Sequence, residues 1–396
     1  EDGIRDRSPS RGLGDVYKRQ SQVMERVSSI QPGDTASLIY TSGTTGNPKG
    51  VVYSHRSIVL HTFGAMMADT LGVCERDVIL PVVPMFHANA WGLAHAGVAT
   101  GATLVMPGSD LSPTALADLI EGESVSIAAG VPTIWMGVLP ELPERDTTAL
   151  RSVVCGGSAV SRSLSEGYRE ATGLPILQAW GMTETSPLAA ICGIKSTLDH
   201  LDDEDKADLR TTVGLITPSV DFRIAEPETG EELPWDGQTS GELQVRGPWV
   251  AGSYYNDERS PESFTEDGWL KTGDVATADA EGYIRLLDRT KDLIKSGGEW
   301  ISSVELENEI MAHPDVAEAA VIGVASAKWG ERAMACVVVA EGAQLNADEV
   351  LDWLDGRVVK WWMPDLVEFI DEVPKTSVGK FSKKTLRDRF ADVTVD

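Results

Sequence analysis

Residues 40–50, YTSGTTGNPKG, gather four hydroxyls (Thr41, Ser42, Thr44, Thr45), three glycines (Gly43, Gly46, Gly50) and Lys49 in eleven positions. Glycines let backbone N–H groups converge, hydroxyls add donors and a lysine brings a mobile positive charge, so the stretch suits an anion such as a polyphosphate. It is not the common nucleotide loop G-x-x-x-x-G-K-[ST], because Pro48 precedes Lys49 and Gly50 follows it. A polar turn between the strand-like SLIY and GVVYSH is the alternative reading.

Four further stretches place functional residue types among helix and strand breakers. In LQAWGMTETSP, residues 177–187, Trp180, Thr183 and Glu184 follow a short strand. An aromatic face, a hydroxyl and a carboxylate fit a base, a phosphate oxygen and a phosphate-bound Mg²⁺ in turn. WLKTGDVA sets Asp274 behind a glycine, suited to accept hydrogen bonds from sugar hydroxyls. DRTKDLIKSGGEWIS offers Arg289, Lys291 and the Gly297-Gly298 pair, and PKTSVGKFSKKTLR presents Lys380 after Gly379.

The elements that must carry these residues follow from composition and rhythm. At 396 residues with 42% hydrophobic composition, the chain has material for two packed units. Its net charge of −27 argues against a broad nucleic-acid footprint or an anionic membrane surface, so any phosphate site is local. Cys74, Cys155, Cys192 and Cys336 are far apart and mostly in apolar runs, which points to core thiols in a reducing compartment, with no zinc. Residues 78–109 lack Asp, Glu, Lys and Arg but are broken by prolines and glycines, so they are expected to be buried structure rather than a membrane span. Within them we expect a strand DVILPVV, a loop PMFHAN, a helix AWGLAHAGVATG and a strand ATLVM.

Residues 1–20 show no apolar periodicity and are expected to be a non-native tail. From about 30 to 224, runs such as ASLIYT, SVSIAA and LRSVVCGG alternate with helical SPTALADLIEG and SRSLSEGYREATG, the pattern of a mostly parallel α/β sheet. From 218 to 287 close-set strands and turns suggest an antiparallel sheet or small barrel. After residues 288–292 a smaller α+β unit begins, with a Ser302-x-x-Glu305 cap on the helix SVELENEIMAHP, strands EAAVIGVA and AMACVVVA, and the helix NADEVLDWLDGRVV. The expected fold class is therefore α/β: a large unit (21–288) with α/β sheet layers and a small β-barrel-like part, then a small α+β unit (289–396). The acidic run at 199–209 reads as a solvated surface insertion.

In order and spacing, the five motifs resemble the AMP-forming acyl-CoA synthetases of the adenylate-forming superfamily, over roughly residues 30–390. PMFHANAWGLAHAGVATGATLVMPG looks most like the medium- or long-chain fatty acid ligases and their dimethylsulfoniopropionate-type relatives. The resemblance implies that a carboxylic acid is joined to the α-phosphate of ATP with loss of pyrophosphate, and that the thiol of coenzyme A then displaces AMP. It also implies that the 289–396 unit is a mobile lid, and that the chain lacks an N-terminal part that family members have.

By position, the resemblance implies that Thr41, Ser42, Gly43, Thr44, Thr45, Gly46 and Lys49 hold the β- and γ-phosphates. Thr183 would contact the α-phosphate and Glu184 would hold Mg²⁺. Gly156, Gly157, Ser158, Ala159, Trp180 and Gly181 would frame the adenine, with Asp274 and Arg289 on the ribose. Lys380 would bridge the attacking carboxylate and the α-phosphate. Lys291 would be the hinge that exchanges Lys380 for the KSGGEW loop and Gly298 between half-reactions. His87 is a candidate for the acyl entrance or a carboxylate gate, with a satisfied core histidine as the alternative. Trp91 is read as pocket wall or core, and GELQVRGPWVAGSYY as scaffold. The substrates implied are ATP, coenzyme A and a small carboxylic acid, with Mg²⁺ as cofactor. A carrier-protein acceptor, an aromatic acid and an inactive nucleotide-binding fragment are the competing readings. A cytoplasmic location is expected, and oligomeric state is not legible.

Overall fold

The computed structural model describes residues 24–41, 48–297, 299–376 and 381–395. The expected tail, Ser42, Gly43, Thr44, Thr45, Gly46, Gly298 and Lys380 lie outside the described residues.

The large unit is organised by a seven-stranded sheet in the order Thr103–Leu104, Val78–Pro81, Ile127–Gly130, Ser152–Gly156, Leu177–Gly181, Leu188–Ile191, Leu215–Ile216. The first five run parallel and the last two turn antiparallel. Every residue of Ile127–Gly130 and Ser152–Gly156 is buried, as expected where helices cover both faces of a parallel sheet. One face packs on Leu116, Trp135, Leu164 and Tyr168, the other on Ala65, Leu93 and Ala96.

Helix boundaries follow local chemistry. Pro113–Gly122 has proline in its first turn, and Arg162–Thr172 opens where Ser161 accepts from Leu164 N–H and closes at left-handed Gly173. The helix expected from Ala90 begins at Leu93 instead. Ala88, Asn89, Ala90 and Trp91 form a left-handed turn with φ of 48°, 53°, 51° and 55°. Such backbone costs non-glycine residues about 1–2 kcal/mol each and persists only where the surroundings impose it. The run ASLIYT also departs from expectation: Thr35–Tyr40 joins no parallel sheet but forms an antiparallel pair with Gly50–Ser54, which closes the ends of the 40–50 loop.

Of the two forms expected for 218–287, the antiparallel sheet is the one present. Asp221–Ala225, Gly241–Arg246, Leu270–Ala278 and Ile284–Arg289 pair in linear order. Its core of Ile224, Leu243, Val245 and Ala276 meets Trp180 and Ala190 of the first sheet. In the final unit Val316–Ser326 and Gly330–Val339 form a long antiparallel pair, flanked by Ile294–Ser296, Glu299–Ile301, Leu366–Phe369 and Thr394–Val395. Ser302 caps Ser303–Met311 by accepting from Glu305 N–H. The helix expected over 346–359 stops at Leu354, just before left-handed Gly356. Among the described residues no helix is long and apolar enough to cross a membrane.

Candidate active site

A cleft with a cavity volume of about 720 Å³ opens where the parallel strands end at their carboxyl side. That is where open α/β sheets present loops to ligands. Pro81, Gly130, Gly156 and Gly181 each end a strand and release a segment that lines it: His87 to Trp91, Pro132 to Met136, Gly157 to Ala159, and Met182 to Glu184. The antiparallel sheet contributes Asp274 and Arg289, the hairpin end contributes Thr41 and Lys49, and the final unit contributes Glu307, Thr376, Lys383 and Arg387.

Glu184 sits in the short helical turn Thr183–Thr185 and is 5% exposed. The Tyr254 hydroxyl donates to its Oε1 at 2.6 Å, and the Tyr53 hydroxyl donates to the Thr183 carbonyl at 2.6 Å. Burial, then the Glu184 charge, push both phenols well above the usual tyrosine range, so both stay donors at any working pH. The Tyr254 ring also carries the Lys49 ammonium 4.4 Å from its centroid, and Lys49 Nζ lies 3.1 Å from Ser263 Oγ. Lys49 N–H donates to Thr41 Oγ1 at 3.1 Å, which fixes the two ends of the phosphate-loop candidate.

Tyr254 is a cleft-lining residue the sequence reading missed. It lies in GSYY, treated above as scaffold, yet it joins the acid and the base of the cleft. The signal was slight: two adjacent phenols, Tyr254 and Tyr255, after a Gly-Ser pair.

Asp274 is 4% exposed and is held by two donors from different sheets, one on each oxygen. Trp180 Nε1 donates to Oδ2 at 3.0 Å, and Arg289 Nε lies 3.1 Å from Oδ1. Asp274 in turn is the main cause of the upward shift of Arg289. The indole of Trp180 is 8% exposed, so its N–H orients Asp274 while part of the ring borders the cleft. Gly156 belongs to the same floor. A side chain there would bring Cβ to 2.7 Å from the Ala179 carbonyl and 3.4 Å from the Trp91 ring, so glycine lets the strand and Trp91 approach. Trp91 and His87 line the cleft from the left-handed turn and its flank.

The hinge candidate Lys291 lines the cleft with its pKa lowered by burial. Nearby, Lys383 Nζ pairs with Glu307 Oε1 at 2.9 Å and donates to Ser303 Oγ, while Ser303 N–H and Oγ–H both donate to Asp288 Oδ2. Burial pushes the Glu307 carboxyl up to about 7, against the opposing pull of Lys383. Arg387 meets Asp292 at 2.6 Å. These pairs hold the final unit against the strand that bears Arg289, and sequence spacing gave no sign of them.

No group of three or more His, Cys, Asp or Glu able to hold a metal occurs among the described residues. What fits an ion is the buried carboxylate of Glu184: Tyr254 donates to its Oε1, whereas the buried Asp274, Asp288 and Glu307 are held by Arg289, Ser303 and Lys383. One carboxylate completed by substrate phosphates and water is the oxygen set Mg²⁺ takes. Cys155, Cys192 and Cys336 are buried free thiols and Cys74 is exposed.

Residues 4–255 match the family described as AMP-binding enzyme, and residues 305–380 match the AMP-binding enzyme C-terminal domain. The chain belongs to the AMP-binding enzyme family. This AMP-binding enzyme is 47% identical over 357 residues to a long-chain-fatty-acid–CoA ligase of Thermus thermophilus, covering 89% of this chain and 65% of that protein. It is 48% identical over 360 residues to a 3-methylmercaptopropionyl-CoA ligase of Ruegeria pomeroyi, covering 90% and 66% respectively. ATP-bound MatB from Rhodopseudomonas palustris superposes with a TM-score of 0.80 at 32% identity, over 91% of this chain and 69% of that one. The chain thus spans about two thirds of the length of these relatives.

Proposed function

We propose that this chain is the ATP-binding and lid-bearing part of an AMP-forming acyl-CoA ligase for a medium- or long-chain fatty acid. The observation that carries the reading is the convergence, at the carboxyl ends of the parallel strands, of a buried carboxylate held by Tyr254 (Glu184), a cation (Lys49) and a doubly anchored sugar-type acceptor (Asp274).

Adenylation asks an anionic acid to approach an anionic triphosphate, so the chain's contribution is charge placement. Lys49 and the 41–46 hydroxyls and N–H groups would hold the β- and γ-phosphates, and Thr183 the α-phosphate. Asp274 and Arg289 would hold the ribose while Trp180, Gly181 and the floor at 156–159 frame the base. Glu184 would hold Mg²⁺, which supplies charge neutralisation on the phosphate oxygens when bound. The acid oxygen bonds to the α-phosphorus as the bond to pyrophosphate breaks, with Lys380 steadying the charge. The thiolate of coenzyme A then attacks the acyl carbon and AMP leaves. Lys291 is the proposed hinge between these steps, His87 and Trp91 the proposed acyl-side wall, and Gly298 part of the proposed thiol channel. We divide the chain into a large unit over 21–288 and a lid over 289–396, and place it in a reducing, cytoplasmic setting.

The 3-methylmercaptopropionyl-CoA ligase, 48% identical against 47% for the fatty acid ligase, favours a second reading: a short sulfur-containing acid. The two separate on an acid series assayed for acyl-CoA and AMP. A fatty-acid pocket gains roughly fourfold in kcat/KM per added CH₂, since each buried methylene is worth about 0.8 kcal/mol. A flat or falling series refutes the fatty-acid assignment. Formation of ADP in place of AMP refutes the ligase.

A further inference from the structure

His61, on the helix His55–Met66, belongs to none of the five motifs and is 3% exposed. Its Nε2 accepts a hydrogen bond of 3.0 Å from Leu188 N–H. A backbone N–H only donates, so Nε2 presents its lone pair and the ring proton sits on Nδ1. Burial, with His95 nearby, pushes the imidazole down to about 3, so this neutral form holds at any working pH.

Two cleft-lining turns meet this ring. On one side, Leu188 follows the Thr183–Thr185 turn, and Thr185 Oγ1 ties them by accepting from Met182 N–H and donating to the Pro187 carbonyl. Trp249 braces the same strand: its edge meets His61 at a 6.0 Å centroid distance and 90°, and its Nε1 donates to the Leu188 carbonyl at 3.0 Å. On the other side, Gly92 ends the left-handed Ala88–Trp91 turn at φ 77°. A Cβ there would lie 2.6 Å from His61 Cε1 and 2.8 Å from Nδ1.

We infer that His61 is a positioning residue that fixes the Thr183–Thr185 turn and the Ala88–Trp91 turn relative to one another, one through the Leu188 hydrogen bond and the other through contact with the space Gly92 leaves. It touches no substrate. Its catalytic consequence rests on the reading of Thr183 and Glu184 as phosphate- and metal-facing groups; the mechanical coupling does not.

The test is amide hydrogen exchange on the full chain, read in peptides spanning 86–93 and 182–190, with the variants His61→Leu, His61→Gln and Gly92→Ala. Losing the Leu188 acceptor raises exchange in 182–190 about tenfold in His61→Leu, and the turn at 86–93 loosens with it. His61→Gln, whose amide oxygen can accept from Leu188 N–H, keeps 182–190 protected. Gly92→Ala is decisive, because the three atoms nearest its Cβ all belong to His61: exchange in 182–190 rises although that segment is unaltered in sequence. Where pyrophosphate exchange is measurable, His61→Leu lowers kcat about tenfold and Gln restores it. An unchanged 182–190 peptide in Gly92→Ala, or loosening of only one turn in a folded His61→Leu, overturns the coupling. Absence of pyrophosphate exchange in the unmodified chain counts against the ligase reading alone, since the peptide exchange is decided without turnover.

Discussion

Asp274→Asn separates a ribose-binding carboxylate from a structural ion pair. The carboxylate is 4% exposed, with one protein donor on each oxygen: Trp180 Nε1 at 3.0 Å on Oδ2 and Arg289 Nε at 3.1 Å on Oδ1. Each oxygen therefore keeps acceptor capacity for a sugar hydroxyl. Asparagine preserves shape and can offer its amide oxygen to Trp180, but turns its NH₂ toward Arg289 and loses one charged acceptor. A hydrogen bond to a charged group is worth about 1.5–3 kcal/mol, so the KM for ATP in acid-dependent pyrophosphate exchange rises about 10- to 150-fold. Because the Arg289 side chain is nearly half exposed, loss of the pair itself costs little more than about 1 kcal/mol of stability. An unchanged KM for ATP beside a lowered unfolding midpoint would mean that Asp274 only joins two sheets, and the ribose assignment would fall.

Three further outcomes are expected. Lys380→Ala lowers adenylation by on the order of 10²- to 10³-fold while sparing thioester formation from supplied acyl-adenylate, as loss of a transition-state donor does; equal loss in both half-reactions contradicts its role. Glu307, with a folded pKa of about 7 against an ordinary 4.5, favours folding most when protonated. That contribution is full below about pH 4.5 and is lost as pH rises toward 7, by at most about 3 kcal/mol, so urea midpoints measured across this window flatten in Glu307→Gln if the burial argument holds. Gly156→Ala forces a methyl to 2.7 Å from the Ala179 carbonyl; it costs roughly 1–3 kcal/mol in thermal stability and weakens ATP binding, and a silent substitution would show that the floor is slack.

The sheet was readable where chemistry is local. Alternating apolar runs located the parallel strands and their helices within a few residues, and the Ser302 cap located the start of Ser303–Met311. Residue type and spacing likewise named the groups that converge on the cleft, Lys49, Thr183, Glu184, Asp274 and Arg289 among them. What spacing could not supply was contact across long separations. Tyr254 reaches Glu184 over seventy positions, Trp180 reaches Asp274 over ninety-four, and His61 meets Leu188 over 127. Thr35–Tyr40 was misplaced for a related reason: a β-rich run declares a strand but not its partner. The left-handed turn at Ala88–Trp91 runs against the preference of Ala88, Ala90 and Trp91, so only packing around it explains its form.

The proposed function turns on one step, activation of a carboxylic acid by adenylation. Acid-dependent exchange of labelled pyrophosphate into ATP by the purified chain, without coenzyme A, measures that step alone. Exchange that requires both Mg²⁺ and an acid, and climbs with the acid's chain length, is the predicted result. Pyrophosphate exchange absent with every acid, in a chain that is folded and binds ATP, would contradict it.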